Sequence, residues 1–409
     1  MKSQCVVAAL VAVAAVCLAL PRQAHADWQR GVDYTGYSAE AYSAPASDAS
    51  LARVAQDGNS DVSIVVTLNM SGPYASTVAA SASTPTDTSV LHAMNTARSL
   101  GLRVTLKPQI DVLTGSWRGA IAPLDTAAWF ATYEQLIDHY ADLAKLGGAS
   151  MLVIGTELKS MSGPAYTARW QQIIAGVRQR FDGLLTYAAN YDEYKQVGFW
   201  QALDYIGVDG YWSLGSGDDQ PVATLLSAWQ QLGYFAALQR AAALTGKQVI
   251  FTEIGYRSAV GATAHPNQWN SQASYDMQEQ ANAYEAVYEA FASQPWFAGL
   301  YWWQWPAALP ANGWNGDYSP VFKPAESVMQ SWNARLAPTS PPVATSAAAP
   351  PPDAAPAAQP APVALPVQKN VPRTPRSRHH KRAKHKHAKH KRSKHKHVKH
   401  RRSKRHHHR

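Results

Sequence analysis

Two glutamates stand at the ends of short apolar segments and are the residues of this chain best suited to chemistry. Glu157 lies near the end of SMLVIGTEL, and Glu253 lies in KQVIFTEIGY. A carboxylate that ends a barrel strand lies at the rim of the sheet, next to solvent and ligand. Hydrolysis of a glycosidic bond needs one carboxylic acid as proton donor and one carboxylate as nucleophile or base. The pair therefore predicts such an enzyme, and the alternative for each glutamate is an ordinary salt bridge at a strand end.

Other polar side chains recur at every second residue beside these segments. Lys107, Gln109 and Asp111 share one face of LRVTLKPQID, and Asp209 and Tyr211 share one face of DYIGVDGYW. Residues two apart on a strand point to the same side, so each set is predicted to point toward one site and to contact the substrate. The alternative is a buried polar network without ligand contact.

Tryptophans lie at the end of DYIGVDGYW and crowd the end of one further strand-like segment, AGLYWWQW. Indole rings offer flat apolar surface against which sugars pack, so Trp212, Trp303 and Trp305 are predicted to line the site. Adjacent Trp302 and Trp303 must point to opposite sides of a strand. Trp303 is assigned to the site because it is in phase with Tyr301 and Trp305. The alternative for all of these rings is packing in the core.

The order of the predicted elements gives the fold that positions these residues. Strands and helices alternate, which favours a parallel sheet with crossover helices. Eight such units indicate an α/β protein with a (β/α)8 TIM barrel over residues 27–336, whose site lies at the carboxyl ends of the strands. A doubly wound sheet is the alternative, although no glycine-rich phosphate turn follows the first strand. The predicted strands are 30–37, 61–70, 102–111, 150–158, 184–191, 204–212, 247–256 and 298–305, and the helices named are 126–146, 166–181, 224–244 and 274–293.

The motifs GTEL, FTEIGY, LKPQID and YWWQW resemble glycoside hydrolase family 113 of clan A over most of residues 27–335. The resemblance implies a retaining, endo-acting hydrolase of a β-linked polysaccharide, with β-mannan as the best-known substrate. It makes Glu157 the acid/base and Glu253 the nucleophile. Tyr211 matches the tyrosine that hydrogen-bonds the nucleophile in this clan. Thr156 departs from the asparagine usual before the acid/base, and offers a hydroxyl where an amide would contact the sugar 2-hydroxyl.

A binding protein without turnover is the second functional hypothesis. Because Thr156 replaces the usual asparagine, a barrel that holds carbohydrate or cell envelope without cleaving it stays open at this stage. No metal, nucleotide or other cofactor site is expected. The histidines of the barrel region, His92, His139 and His265, are scattered, and a lone histidine is seldom a metal ligand.

The amino-terminal residues 1–26 have the pattern of a signal peptide. Lys2 precedes an apolar run over residues 6–20, and Ala24, His25 and Ala26 form a small-x-small cleavage site. The run is too short to predict a membrane span. Cleavage after Ala26 predicts a secreted protein, extracellular or periplasmic, with no transmembrane segment after cleavage. Both cysteines of the chain lie in this leader, so no disulfide is expected in the mature protein.

The carboxyl-terminal residues have two unusual compositions. Residues 337–366 are rich in Pro and Ala, which predicts an extended linker without a core. Residues 367–409 are rich in Lys, His and Arg, contain a ten-residue near-repeat, and are predicted to be disordered. Residues 369–409 hold 19 of the 38 Lys and Arg residues and no acidic residue, so the rest of the chain has 19 basic against 28 acidic residues.

Three hypotheses account for this basic tail. The simplest is attachment to an anionic polymer or to the cell surface, which could retain the secreted protein there and needs only a high density of charge. The alternatives are metal capture by its histidines and a solvated tail without a partner. Protonation of the histidines below pH about 6.5 would strengthen attachment. Aromatic residues are absent from residues 367–409, which argues against specific recognition of nucleic acid.

Overall fold

The computed structural model describes residues 28–338, apart from residue 216. Eight parallel strands close into a barrel in chain order, which confirms the predicted (β/α)8 architecture. The predicted leader lies outside the described residues, as do the predicted linker from residue 339 onward and the whole predicted tail. The strands are β1 Gln29–Thr35, β2 Asp61–Met70, β3 Arg103–Val112, β4 Met151–Thr156, β5 Leu184–Asn190, β6 Ile206–Asp209, β7 Val249–Ile254 and β8 Phe297–Pro306.

The described residues form eight α-helices around the barrel, but these helices do not follow the eight strands one by one. The predicted helix 224–244 is wrong as one element, because the chain breaks at Gly233, whose φ of 78° is left-handed and suits glycine. A single 3₁₀ turn at Trp200–Ala202 replaces a helix between β5 and β6. The helices are α1 Pro45–Gln56, α2 Asp87–Ser99, α3 Thr126–Leu146, α4 Thr167–Arg180, α5 Val222–Gln231, α6 Tyr234–Thr245, α7 Met277–Phe291 and α8 Pro324–Leu336.

Side-chain caps fix where several helices begin. The side chains of Thr86, Asp125 and Asp276 accept hydrogen bonds from the first-turn amides of α2, α3 and α7. Each bond satisfies an amide that has no partner inside the helix, which is worth about 1 kcal/mol. Among the described residues, no helix is both long enough and apolar enough to cross a membrane.

The lower half of the barrel is closed by large side chains. Tyr301 of β8 lies across the interior, and its hydroxyl bonds to Thr105 and to Gln29 at 2.9 Å each. A Cβ atom at Gly31 would lie 2.4 Å from the Tyr301 ring, so only glycine allows this ring to cross β1. These contacts fill the interior of the barrel at the level of Tyr301.

Strand pairing is regular between β2 and β3 and irregular in several other pairs. β2 and β3 pair over ten consecutive residues without a shift. The β4–β5, β6–β7, β7–β8 and β8–β1 pairs all contain register shifts. Such shifts redirect side chains out of strict alternation. They fall on the strands that carry Glu157, Glu253 and Trp303.

Candidate active site

Glu253 is held by two donors at the end of β7. Its Oε1 accepts a 2.6 Å bond from Lys107 Nζ, and its Oε2 accepts a 2.8 Å bond from the Tyr211 hydroxyl. Burial raises the pKa of Tyr211 well above 10, and the negative charge of Glu253 adds to the rise, so the hydroxyl stays protonated and donates. Charge-assisted bonds to both oxygens fix the orientation of the carboxylate. Glu253 is therefore presented to the mouth in a fixed orientation.

Lys107 lies beneath Glu253 in a fully buried group of charges. Its Nζ also lies 3.3 Å from Asp33 Oδ1 and donates to the Thr252 carbonyl at 3.1 Å. Burial lowers the pKa of Lys107, but the carboxylates around it outweigh that effect and leave its pKa above 10.5. Burial raises the pKa of Asp33 to about 7. A permanent cation is thus placed under the nucleophile.

Two predicted ligand contacts are corrected by this burial. Lys107 and Asp209 are both inaccessible to solvent, and Asp209 accepts a 2.8 Å bond from the hydroxyl of Thr252. Burial raises the pKa of Asp209 well above its ordinary value, and the charge of Glu253 adds to the rise. Neither side chain exposes surface that a ligand in the mouth could contact. Both belong to the buried polar network that was the alternative.

Glu157 follows β4 in a conformation rare for a residue with a side chain. Its φ is 52°, in the left-handed region, while its amide still donates to the Ala188 carbonyl at 2.7 Å. Such backbone costs about 1–3 kcal/mol and is concentrated at functional sites. The carboxylate accepts from Asn190 Nδ2 at 2.7 Å, from Arg118 Nη1 at 3.3 Å and from Trp117 Nε1 at 3.5 Å.

The surroundings of Glu157 favour its protonated form. Burial raises the pKa of Glu157 above 4.5, the cation of Arg118 opposes the rise, and the charge of Glu253 adds to it. Arg118 is itself fixed, because it donates to the Ile110 carbonyl at 2.7 Å and pairs with Asp111. A raised pKa is what a general acid requires, whereas Glu253 is held by a lysine. The surroundings of the two glutamates therefore differ.

Both carboxylates open onto one mouth. The side chains of Glu157 and Glu253 keep 10% and 4% of their surface exposed, so a ligand in the mouth can reach them. They end strands β4 and β7 of one closed barrel, and each charge acts on the same neighbour, Arg118. The structure thus brings together the two residues that the sequence placed at strand ends.

Several other predicted site residues lie at this mouth. Asp111 is partly exposed beside Arg118. Gln109 and Thr156 are buried, and Gln109 Oε1 and Thr156 Oγ1 have no partner among the described residues. Buried polar atoms are nearly always bonded in native proteins, so these two oxygens are exceptions within the described residues. The predicted contacts of Gln109, Asp111 and Thr156 with substrate stay predictions.

The predicted tryptophans separate into two groups. The Trp303 ring is partly exposed and lies 5.6 Å from Lys107 Nζ, on the floor of the site. Trp212 stacks on Tyr234 in the layer between sheet and helices, which corrects its assignment to the site. Trp305 is also corrected: it is fully buried and donates to Ser50 of α1 at 3.0 Å. The Trp305 side chain points to the side opposite to that predicted by alternation, because the pairing register of β8 with β1 shifts between Val32 and Tyr34.

Some residues of the site were not indicated by the sequence. Arg118 and Trp117 lie in the loop after β3, where no periodic pattern exists to show where a side chain points. Asn190 and Asp33 could have been found, because both are polar residues of barrel strands. Asn190 ends β5 at the same rim as Glu157, and Asp33 is in phase with the barrel interior.

A closed barrel with two glutamates at the ends of β4 and β7, and a tryptophan face beside them, is the arrangement typical of a glycoside hydrolase. The family comparison agrees with this class. The model for Glycoside Hydrolase Family 113 matches residues 33–318. The chain belongs to this family, as the resemblance of its motifs implied.

Solved structures show the same relationship. The chain is 28% identical to a family 113 β-mannanase from Alicyclobacillus acidocaldarius in complex with ManMIm, with a TM-score of 0.69 over 76% of this chain and 99% of that one. A family 113 β-1,4-mannanase complex is 26% identical, with a TM-score of 0.68 over the same shares. A Faecalibacterium prausnitzii β-glucuronidase, 13% identical with a TM-score of 0.50 over 75% of this chain and 49% of that one, shares the fold alone. No curated protein matches the chain.

Proposed function

We propose that this protein is a retaining endo-hydrolase of β-mannan, with Glu253 as nucleophile and Glu157 as acid/base. The assignment of roles rests on one observation, the difference between the surroundings of Glu253 and those of Glu157. Glu253 is bonded by a buried lysine and a tyrosine, whereas burial raises the pKa of Glu157. β-Mannan is proposed because two similar structures are described as β-mannanases.

The first step forms a glycosyl ester on Glu253. One oxygen of Glu253 attacks the anomeric carbon while the bond from that carbon to the leaving oxygen breaks, and Glu157 gives its proton to the leaving oxygen. The hydrogen bond from Tyr211 keeps the attacking carboxylate aligned. The sugar develops positive charge in this step, above the buried carboxylates that surround Lys107. Retention requires the two carboxyl groups to be about 5 to 5.5 Å apart.

The second step returns both glutamates to their first state. Glu157, now ionised, takes a proton from water, the water oxygen bonds to the anomeric carbon, and the ester bond to Glu253 breaks. Loss of the negative charge on Glu253 in the ester lowers the pKa of Glu157, because that charge had raised it. The acid therefore becomes a base of suitable strength at the moment when one is needed.

Two variants test these roles. Glu253→Gln should abolish release of reducing ends from β-mannan. Glu157→Ala should lose activity on mannan but keep activity on an aryl glycoside with a good leaving group, and added azide should increase its turnover and give a β-glycosyl azide. An α-glycosyl azide, or undiminished hydrolysis of mannan by either variant, would exclude the proposed mechanism. A matched control is Glu289→Gln, a solvent-exposed glutamate of α7.

We also propose that the protein is secreted and held at the cell surface, and this part of the proposal rests on the sequence alone. Residues 1–26 supply the leader, and the 19 Lys and Arg residues of 369–409 supply the charge for an anionic polymer or cell surface. Truncation after Pro366 should remove salt-sensitive binding to an anionic polysaccharide while leaving the hydrolysis of a soluble mannan oligosaccharide unchanged. Equal binding by the truncated and full chains would contradict the role of the tail.

A further inference from the structure

Glu193 is a buried carboxylate that the proposed mechanism does not use. It lies three residues after the end of β5 and has no solvent-exposed surface. Its Oε1 accepts hydrogen bonds from the hydroxyls of Ser162 at 2.5 Å and Tyr187 at 2.6 Å. Its Oε2 accepts from the backbone amide of Asn190 at 2.9 Å. Three donors thus converge on one carboxylate, a group that in its ionised form only accepts hydrogen bonds.

One of these bonds continues to the backbone beside Glu157. The Tyr187 hydroxyl donates to Glu193, so its oxygen is free to accept, and it accepts from the Leu158 amide at 2.8 Å. Leu158 directly follows Glu157, whose φ of 52° is costly for a residue with a side chain. The Tyr187 ring packs against Gly155 of β4, where a Cβ atom would lie 2.8 Å from the ring. Glu193 therefore orients the hydroxyl that holds the strained backbone after β4.

A second path leads to the Glu157 carboxylate itself. The Asn190 side chain donates to Glu157 Oε1 at 2.7 Å. The Asn190 backbone is tied to Glu193 twice, because its amide donates to Glu193 Oε2 and its carbonyl accepts from the Glu193 amide at 2.8 Å. These two bonds close a turn at the end of β5 and fix the position from which the Asn190 side chain extends. One carboxylate is thus linked to both the main chain and the side chain of Glu157.

The alternative is that Glu193 satisfies buried donors and only stabilises the fold. The convergence of two separate bonded paths on Glu157 argues against this alternative. Burial raises the pKa of Glu193 to about 7, and the charge of Glu157 adds to the rise, so the two carboxylates also interact electrostatically. We propose that Glu193 is a positioning residue for the acid/base Glu157. It acts through Tyr187 on the backbone and through Asn190 on the carboxylate. This inference rests on the proposed function and deepens it.

Leaving groups separate a positioning role from a structural one. Mannopentaose has a poor leaving group and needs the acid, whereas dinitrophenyl β-mannobioside does not. General acid catalysis contributes about 10²–10⁴-fold, so Glu193→Gln should lower kcat/KM on the pentaose about tenfold or more relative to that on the aryl glycoside. The KM for the pentaose should change little. Tyr187→Phe removes one path and keeps the ring, so it should lower the same ratio about threefold or more.

Two controls remove buried polar groups that lie on neither path. Ser162→Ala removes one donor to Glu193, and Glu326→Gln removes a buried carboxylate of α8. Both should affect the two substrates equally and leave the ratio unchanged. A ratio unchanged in Glu193→Gln and Tyr187→Phe, while Glu157→Ala shows the selective loss, overturns this inference and leaves the proposed function standing. Undiminished mannan hydrolysis by Glu157→Ala overturns both.

Hydrogen exchange gives a result that does not depend on activity. Mass spectrometry of the segment that contains Glu157 and Leu158 should show exchange about tenfold faster in Glu193→Gln than in the wild type, because the Leu158 amide loses its oriented acceptor. The regularly paired β2, Asp61–Met70, should exchange at an unchanged rate. Faster exchange in both segments would show a structural role only and overturn the inference, as would unchanged exchange in both. Tyr187→Phe, the milder change, carries both measurements if Glu193→Gln does not fold.

Discussion

Replacement of Lys107 by methionine is the most informative perturbation of this site. Lys107 Nζ contacts Glu253 at 2.6 Å, Asp33 at 3.3 Å and the Thr252 carbonyl at 3.1 Å, with no solvent exposure. Removal of one partner from a buried ion pair costs about 3–5 kcal/mol because the remaining charge stays buried without compensation. Since a domain is stable by only about 5–15 kcal/mol, Lys107→Met should lose about a fifth or more of that stability.

The size of this loss should depend on pH. The cation lowers the pKa of Asp33, so without it the buried carboxyl group of Asp33 stays protonated to higher pH, and the folded variant binds more protons than the folded wild type. Stability falls with rising pH where the folded state binds more protons than the unfolded state. The difference between the two proteins should therefore be larger at pH 8 than at pH 5. Urea unfolding followed by tryptophan fluorescence measures both values.

A second substitution separates the electrostatic explanation from a packing defect. Lys107→Met/Asp33→Asn removes one of the uncompensated carboxylates, so it should recover stability by about 1–3 kcal/mol. It should not recover mannan hydrolysis, because Glu253 still lacks its cation. Lys145→Met, on the exposed surface of α3, should stay within about 0.5 kcal/mol of wild type. A loss below about 1 kcal/mol at pH 8, or a double variant no more stable than the single, would refute the reasoning.

Three further predictions concern pH and hydrogen bonding. Arg118→Gln should move the alkaline limb of the pH profile of kcat/KM to higher pH, because the guanidinium lowers the pKa of Glu157. Asp111→Asn, which removes the partner of Arg118, should move the same limb to lower pH. Shifts of the same sign in the two variants would contradict this. Tyr211→Phe removes a bond to a charged group worth about 1.5–3 kcal/mol, so kcat/KM should fall about 10- to 150-fold with little change in the unfolding midpoint. The pKa of Asp33 is raised from 3.8 to about 7, so its protonated form stabilises the fold fully below pH 3.8 and the effect is lost as pH rises toward 7. Urea unfolding should show a flatter decline over pH 4 to 7 for Asp33→Asn, and parallel curves would exclude this contribution.

Two kinds of information were present in the sequence. Apolar segments rich in β-branched residues, alternating with helical ones, determined the barrel, because burial on both faces of a parallel strand leaves a continuous apolar pattern. The position of Glu157 and Glu253 at the ends of such segments determined the site, because carboxyl ends of barrel strands share one rim. Both follow from local periodicity, which a single sequence records directly.

The alternation of side chains along a strand gave wrong or no predictions where the strand register or a loop determines the direction of a side chain. A shift in the β8–β1 pairing turned Trp305 toward α1, so counting by twos from Trp303 gave the wrong side. Depth within the barrel also has no periodic signature, and alternation alone could not place Lys107 below the nucleophile. Arg118 comes from a loop, where no repeating geometry predicts direction.

The sequence by itself therefore determined the class of fold and the two glutamates, since their positions depend only on neighbours along the chain. The tertiary structure supplies the physical support for the proposed roles, with Glu157 as the acid/base and Glu253 as the nucleophile. That distinction depends on the burial of Glu157 and on the cation beneath Glu253, which comes from a strand 146 residues away. A pKa is set by the charges and the solvent around a group in space, and closure of the barrel alone brings those charges together.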